Sequence, residues 1–461
     1  MSKYENVTVN PSIFKAYDIR GIYPGEINEE IAYRIGRAFV VLLQGENKDR
    51  KLKLAVARDM RISSPELFKA VVRGVTDQGA DVVDIGIAST PTFYFAVGKY
   101  GYDGGLQISA SHNPKEYNGV KMVRHHAIPV SGDTGILKIC NMVIKNEFKD
   151  ARKKGVVEQR DDVLKEQMVH DLKYADLKKI KAFRIVADPA NATGILFLEE
   201  LFKHLPCKLI RMNFDLDGTF PAHQPDPLQD KNMVDLKQRV LKEKADLGIA
   251  PDGDGDRIFF VDDKGETLPP EILRGMMAQV FLKDHPGAKI CYDARPGRIT
   301  EDMIIEAGGV PILTKVGHSL IKETMIKEGA VFAGESSGHF FLKTEQGTFE
   351  VPMIIILKLL EMMSESGKPL SEIVKPYRKY FHSGEINEKV ADKEAKIREV
   401  EASFKDADKV LHLDGLSVFY KDFWFNVRSS NTEPLLRLNL EARTKEKMEQ
   451  MRDKILGMIR S

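Results

Sequence analysis

The sequence predicts an α/β protein of several domains, and three observations carry that prediction. Strand-like and helix-like segments alternate, the order expected of parallel strands linked by helices. Strand-like segments repeatedly run into aspartate-bearing loops, and ligands of α/β sheets gather at those carboxyl ends. The chain has 461 residues, enough for about three domains of ordinary size.

Residues 52–57 (LKLAVA) read as a strand. Ser64 and Pro65 then supply an N-cap and a first-turn proline. Leu67, Val71 and Val75 form a helical stripe at i, i+4, i+8. Gly79 marks the end of that helix, and residues 81–85 (DVVDI) return as a strand. Residues 184–187 (RIVA) lead into Asp188 and an apolar helix over 195–202. Residues 246–250 (DLGIA) lead into Asp252, and residues 289–292 (KICY) into Asp293. The charged stretch 147–167 reads as a link between units, and 262–265 (DDKG) as a turn before a third. Pro376 precedes a tail in which the charge-rich segment 387–409 reads as a solvated helix face.

Lys and Arg total 69 against 68 Asp and Glu, a net charge of +1. That balance excludes a chain built around a polyanion, so no nucleic-acid partner is expected. With 43% hydrophobic and 30% charged residues the composition is that of a globular protein. Cys140, Cys207 and Cys291 are widely spaced, forming neither a zinc framework nor a disulfide scaffold. The most apolar run, 351–363, is broken by Lys358 and Glu361 and suits a buried helix better than a membrane span. No secretory signal is visible, and a cytoplasmic protein without a membrane partner is expected.

Four segments could carry chemistry. In residues 252–257 (DGDGDR) three carboxylates alternate with two glycines, a hard oxygen set suited to Mg²⁺ or Ca²⁺. An EF-hand would need Gly and Glu where Arg257 and Asp263 stand, and helical flanks, so that reading fails. Residues 109–114 (SASHNP) follow an apolar strand. They offer either a serine nucleophile or an Asn-Pro turn whose serines bond the backbone. Residues 334–339 (GESSGH) bring carboxylate, hydroxyl and imidazole to one glycine-flexed loop, which suits a polyhydroxyl ligand or is an ordinary loop. Residues 428–434 (RSSNTEP) end a strand and form either an anion cradle or a polar turn with a solvated arginine. Neither G-x-G-x-x-G after a strand nor G-x-x-x-x-G-K-[ST] occurs, which disfavours a dinucleotide cofactor and a P-loop kinase.

In this order the four segments resemble the α-D-phosphohexomutase superfamily. The resemblance extends to residues 14–21 (FKAYDIRG), 218–221 (GTFP), 225–227 (PDP) and 314–322 (TKVGHSLIK). GESSGH is similar to that superfamily's GExSGH sugar loop. RSSNTEPLLRL is closer to the phosphomannomutase/phosphoglucomutase branch than to phosphoglucosamine mutase, whose loop usually reads RxSGTE. The resemblance implies a heart-shaped, four-domain architecture: three related α/β domains with mixed sheets and a smaller C-terminal α+β domain, their active cleft where all four meet. Residues 1–158, 159–264, 265–377 and 378–461 would carry the phosphoserine, metal, sugar and phosphate loops in turn.

By the same resemblance Ser111 is the phosphoserine, and Asp252, Asp254 and Asp256 hold one Mg²⁺ whose remaining site takes an oxygen of the Ser111 phosphate. Arg20, His112, Lys121 and Arg257 would surround the phosphoryl group. Lys121, His318 and His339 would move the proton of the sugar hydroxyl. Glu335 and Ser337 would bind the sugar, with Tyr17 and Arg295 also on the substrate, and Arg428, Ser430, Asn431 and Thr432 would clamp the phosphate that is not reacting. The implied reaction interconverts hexose 1- and 6-phosphates through a 1,6-bisphosphate, which also serves as activator. It needs mainly positioning and charge stabilisation, and a hinge near Pro376 would let the last domain swing.

Three departures bear on substrate preference. Arg295 stands where relatives often carry lysine, residues 344–352 (TEQGTFEVP) lack the usual Asp-Asp pair, and residues 188–194 (DPANATG) are less glycine-rich. His125-His126 does not have metal-ligand spacing, Trp424 reads as core, and Met362 and Met363 as helix packing. Phosphoglucosamine mutase, a non-catalytic sugar-phosphate-binding paralogue and a bisphosphate phosphatase are the alternatives. The partners expected are small hexose phosphates, with the chain a monomer or weak homo-oligomer.

Overall fold

Buried apolar strands followed by short helices organise the chain, and a computed structural model describes residues 7–46, 50–295, 297–429 and 435–461. Two units separate: Met1–Leu268 with Ser337–Ser371, and Pro269–Ser336 with Glu372–Ser461.

The first unit opens with β1 (Ile19–Ile22), α1 (Glu29–Glu46), β2 (Lys53–Arg58), α2 (Ser64–Asp77), β3 (Asp81–Ile87), α3 (Thr90–Lys99), β4 (Gly104–Ile108), β5 (Tyr117–Arg124), α4 (Leu137–Lys145) and β6 (Val157–Gln159). Its sheet runs β1-β5-β4-β2-β3-β6. β2 is parallel to β3 and β4, as the strand–helix–strand pattern predicts, while β5 is antiparallel to β4 and β1. Leu54, Val56, Leu106 and Ile108 pack against Ile31, Ile35, Leu67 and Val71 of the first two helices.

Two details differ from the expectation. Ser64 is the first residue of α2 rather than its cap, and Ser63 before it makes no side-chain cap bond. The Ser64 hydroxyl is instead recruited by the buried Asp59 carboxylate at 2.5 Å. The charged stretch 147–167 is not only a link, since β6 adds to the sheet edge beside β3. All three of its side chains are exposed, so backbone pairing alone makes it a strand and no apolar period announces it.

The chain continues through α5 (Val163–Asp171), β7 (Arg184–Ala187), α6 (Gly194–Phe202), β8 (Lys208–Arg211), α7 (Asp230–Glu243), β9 (Leu247–Pro251) and β10 (Ile258–Val261). The second sheet runs β10-β9-β7-β8 and is parallel except for β10. DGDGDR is thus the connection of an antiparallel hairpin, which fixes where its carboxylates start and end.

In the second unit α8 (Pro270–Asp284), β11 (Lys289–Asp293), α9 (Arg298–Glu306), β12 (Val310–Thr314), α10 (His318–Glu328) and β13 (Phe332–Gly334) follow. β11 pairs in parallel with both β12 and β13. The chain then returns to the first unit with β14 (Phe340–Thr344), β15 (Gly347–Glu350) and α11 (Pro352–Ser366). α11 buries Ile354, Ile355, Ile356, Leu359 and Leu360, the internal helix its sequence implies.

The C-terminal sheet is antiparallel, built from β16 (Phe381–His382), β17 (Ile386–Lys389), β18 (Lys409–Leu411), β19 (Leu416–Phe419), β20 (Phe423–Ser429) and β21 (Leu435–Ala442). Phe425, Val427, Leu436, Leu438 and Leu440 pack on Ile455 and Ile459 of the terminal helix Lys445–Arg460. Segment 387–409 divides into β17 and a helix, Lys393–Ala402, that buries only Val400. No helix among the described residues is long and apolar enough to cross a membrane.

Candidate active site

Ser111 lies just past the end of β4, buried, with φ at 50°. That left-handed conformation is uncommon for a residue with a Cβ and marks a turn held by its surroundings. Arg61 supplies much of the hold. Its buried guanidinium donates to the carbonyls of Ser111 (2.8 Å), Asn113 (2.7 Å), Pro114 (2.7 Å) and Tyr117 (3.0 Å), and Asp59 balances its charge at 3.2 Å. Arg20 adds a second brace, donating to Asn113 Oδ1 at 2.5 Å while Asp18 accepts its Nε–H at 2.8 Å. Gln224 Nε2 donates to the His112 carbonyl at 2.8 Å.

The turn delivers the Ser111 hydroxyl to the aspartate loop, where it donates to Asp252 Oδ2 at 2.7 Å, with His112 Nδ1 3.1 Å away. Gly253 makes this approach possible, since a Cβ there would clash with the Ser111 carbonyl. Asp252, Asp254 and Asp256 are buried, and one oxygen of each lies within 4.8 Å of the others. Lys121 Nζ sits 2.7 Å from Asp254 and 2.5 Å from Asp256, and His339 Nε2 is 3.2 Å from Asp256.

The electrostatics point to missing positive charge. Burial, then Asp256 and Asp254, push the Asp252 carboxyl up to about 7. Burial also works against ionised Asp256, but Lys121 and His339 overcome it and hold that carboxyl well below its usual range. Burial lowers Lys121, yet Asp254 and Asp256 raise it well above an ordinary lysine, so it is an ammonium. His112 is driven well below the ordinary histidine value by burial and then by Arg257 and Arg20, and is neutral at pH 7. Asp254 Oδ1 is buried without a hydrogen-bond partner among the described residues. A carboxylate oxygen orphaned inside a buried triad fits a hard divalent cation. Arg257 Nε and Nη1 are likewise buried donors without a hydrogen-bond partner among the described residues, Nε lying 3.8 Å from Asp252 Oδ2, which fits an anionic oxygen beside the triad.

The raised Asp252 value predicts a pH effect. Unfolded Asp252 loses its proton near 3.8, whereas the folded one keeps it to about 7, so its contribution to stability falls as pH rises through that window. In EDTA, urea unfolding of wild type and Asp252→Asn is expected to show wild type losing ground between pH 4 and 7.5. A gap that stays constant or moves the other way contradicts this.

Ser337 and His339 belong to the same unit. Ser337 Oγ lies 2.8 Å from His339 Nδ1, and Arg257 and His339 form an isolated antiparallel bridge. Tyr17 is half-buried in the loop before β1. The first unit thus brings together Ser111, His112, Arg20, Lys121, the triad, Arg257 and His339 around one turn.

The second unit holds the remaining residues. Asp293 at the end of β11 anchors Arg295 Nε at 2.6 Å and also pairs with Arg274. Arg295 and Arg274 outweigh burial and hold Asp293 at about 2. Arg295 Nη2 is 3.6 Å from Glu335 Oε1, which also accepts the Gly317 N–H at 2.7 Å. His318 opens α10, next after Gly317. Arg428, near the end of β20, pairs with Glu385 at 2.8 Å, and burial notwithstanding it helps keep Glu385 ionised. Ser430, Asn431 and Thr432 lie outside the described residues.

Sequence reasoning did not single out Asp59, Arg61, Gln224 or Glu350. Asp59 follows a strand end like the other loop aspartates, so that signal was present. Arg61, Gln224 and Glu350 carry no local signal. Glu350, fully buried at the end of β15, brings its carboxylate within 4.8 Å of His339 and Asp256 ligand atoms only through the hairpin fold.

The chain is similar to known proteins along its whole length. Residues 11–150, 165–265 and 270–380 match the phosphoglucomutase/phosphomannomutase alpha/beta/alpha domains I, II and III, and residues 385–458 match the C-terminal domain of the same family. A phosphomannomutase of Methanocaldococcus jannaschii is 40% identical over 449 residues, 97% of each chain. A phosphomannomutase of Vibrio cholerae is 38% identical over 455 residues, 96% of each chain. The crystal structure of a phosphoglucomutase/phosphomannomutase family protein from Burkholderia thailandensis superposes with a TM-score of 0.89 at 32% identity, covering 98% of this chain and 97% of its own. With all four family domains present in order, and the serine turn and aspartate triad of its first unit assembled around one another, this chain belongs to the phosphoglucomutase/phosphomannomutase family of the α-D-phosphohexomutase superfamily.

Proposed function

We propose that this enzyme interconverts the 1- and 6-phosphates of mannose or glucose by way of a phosphorylated Ser111 and a hexose 1,6-bisphosphate. The observation that carries the reading is the Ser111 hydroxyl, presented by a left-handed turn at 2.7 Å from Asp252 Oδ2, an oxygen that also has Arg257 Nε 3.8 Å away. Phosphorylated Ser111 gives its phosphoryl group to the free hydroxyl of the bound sugar phosphate. The bisphosphate reorients, and its other phosphate returns to Ser111, leaving the isomer. Mg²⁺ held by Asp252, Asp254 and Asp256 would supply positive charge to the phosphoryl oxygens.

The side chains have distinct tasks. Arg257 and Arg20 carry permanent charge toward the transferring group. Lys121, held between Asp254 and Asp256, adds charge and is one of the groups assigned to move the hydroxyl proton. His339, which Ser337 and Asp256 hold, shares the task of moving the hydroxyl proton with Lys121 and His318. Glu335, Ser337, Tyr17 and Arg295 bind the sugar, and Arg428 with Ser430, Asn431 and Thr432 hold the distal phosphate. The phosphomannomutase relatives favour mannose 1-phosphate as the first substrate to try.

The experiment is a coupled assay with mannose 1-phosphate, glucose 1-phosphate and glucosamine 6-phosphate, primed with the matching 1,6-bisphosphate. Isomerisation of either hexose phosphate supports the proposal. Turnover of none of them removes it, and net phosphate release without isomer selects a phosphatase. Chelation of divalent cation is expected to lower the rate by about 10²-fold or more, because a bound metal contributes several kcal/mol of charge stabilisation. Added Mg²⁺ should restore it, and a rate indifferent to EDTA contradicts the metal assignment.

A further inference from the structure

Helix α3 starts beside the aspartate loop. Ser89 caps it by accepting the Thr92 N–H at 3.3 Å, and Pro91 occupies the first turn, where no N–H is needed. Thr90 lies between them, fully buried. A helix start leaves N–H donors without partners inside the helix, and Thr90 gives its own to the Asp254 carbonyl at 2.8 Å. Its hydroxyl donates to Asp254 Oδ2 at 2.6 Å. The same oxygen accepts from Lys121 Nζ at 2.7 Å. Two donors therefore hold Oδ2, while Oδ1 is the oxygen left buried without a hydrogen-bond partner among the described residues.

The start of α3 has further buried bonds. A buried chain runs from Ser89 to Thr92 (2.9 Å), from Thr92 to Gln167 of α5 (2.7 Å) and on to Asp171 (3.4 Å). This chain ties Ser89 and Thr92 to a second helix and does not touch Asp254, so it can be broken separately from the Thr90 bonds.

We propose that Thr90 is a positioning residue for the metal loop, fixing the Asp254 carboxylate so that Oδ1 is the oxygen offered to a divalent cation. The inference rests on the reading of Asp252, Asp254 and Asp256 as metal ligands. Without the Thr90 hydroxyl, Lys121 alone holds Oδ2 from a flexible stem, and the carboxylate gains freedom to turn about its Cβ–Cγ bond. Hydrogen-bond partners of ligating groups are worth about 10–100-fold in metal affinity.

The test titrates the metal-free full-length protein with Mn²⁺ and reads free Mn²⁺ by electron paramagnetic resonance. Thr90→Val and Thr90→Ala both delete the hydroxyl and are expected to weaken binding by about tenfold or more. Thr90→Ser, which keeps the donor, should stay within about threefold of wild type. Thr92→Val, which breaks the buried chain in the same helical turn without touching Asp254, should do the same. If Val fails to fold, Ala carries the test. Affinities of the hydroxyl-deleted variants within threefold of wild type overturn the inference, and so does a loss in Thr92→Val as large as that in Thr90→Val. Asp254→Asn separates the two levels: if it leaves Mn²⁺ binding unchanged, the reading of the triad has failed rather than the role of Thr90.

Discussion

Ser111→Ala is expected to lower mutase turnover by about 10⁴-fold or more, the scale on which loss of a covalent nucleophile acts. The neighbouring Ser109 does not take over. The Ser109 hydroxyl accepts the Ser111 backbone N–H at 3.0 Å and serves the turn itself. The fold should survive, because the serine hydroxyl holds little else in place. Its loss leaves the Asp252 oxygen without that donor, at about 1–3 kcal/mol. The coupled assay measures the rate, and transfer of labelled phosphate from hexose 1,6-bisphosphate measures the covalent step. Wild type should carry label at residue 111 and the variant none. Turnover within tenfold of wild type, or label elsewhere in the wild-type chain, contradicts the proposal.

Arg61→Met is expected to destabilise the protein by about 3–5 kcal/mol, the cost of removing one partner of a buried ion pair. Methionine matches the length of the arginine stem and still packs beside Phe220, whose ring lies 5.0 Å from the guanidinium carbon. It cannot donate. Asp59 and the carbonyls of Ser111, Asn113, Pro114 and Tyr117 would all lose a donor at once. The urea midpoint should fall with little change in the denaturant slope. Activity should fall further than stability accounts for, since the left-handed turn at Ser111 would lose its brace. A change below about 1 kcal/mol would mean that water replaces these bonds and the brace is not structural.

Much of the architecture was legible because it is written in periodic patterns. The stripe of Leu67, Val71 and Val75 became the buried face of α2, and the strand-end aspartates became loops at the carboxyl ends of the parallel-paired strands β7, β9 and β11. What failed to read was local structure decided by partners distant in sequence. β6 is a strand because β3 offers an edge, not because its side chains alternate. Ser64 looked like a cap because serine at a helix start usually is one, but Asp59 claims its hydroxyl first.

The site divides in the same way. Sequence alone determined which groups are available: a serine turn, three aspartates spaced by glycine, a loop of carboxylate, hydroxyl and imidazole and an arginine-led loop. Those patterns are local, since the spacing of DGDGDR and the Asn-Pro after Ser111 depend on a few adjacent dihedrals. Tertiary structure decided what the groups face. Ser111 meets Asp252 across 141 residues of chain, Lys121 meets Asp256 across 135, and Thr90 meets Asp254 across 164. Charge state followed from those meetings: among three buried aspartates of identical chemistry, Asp252 is pushed up to about 7 and Asp256 is held well below its usual range. Both are buried, and the cations Lys121 and His339 beside Asp256 make that difference. A sequence prints neither the burial nor those neighbours, because Coulomb energy and desolvation depend on distance through space rather than along the chain.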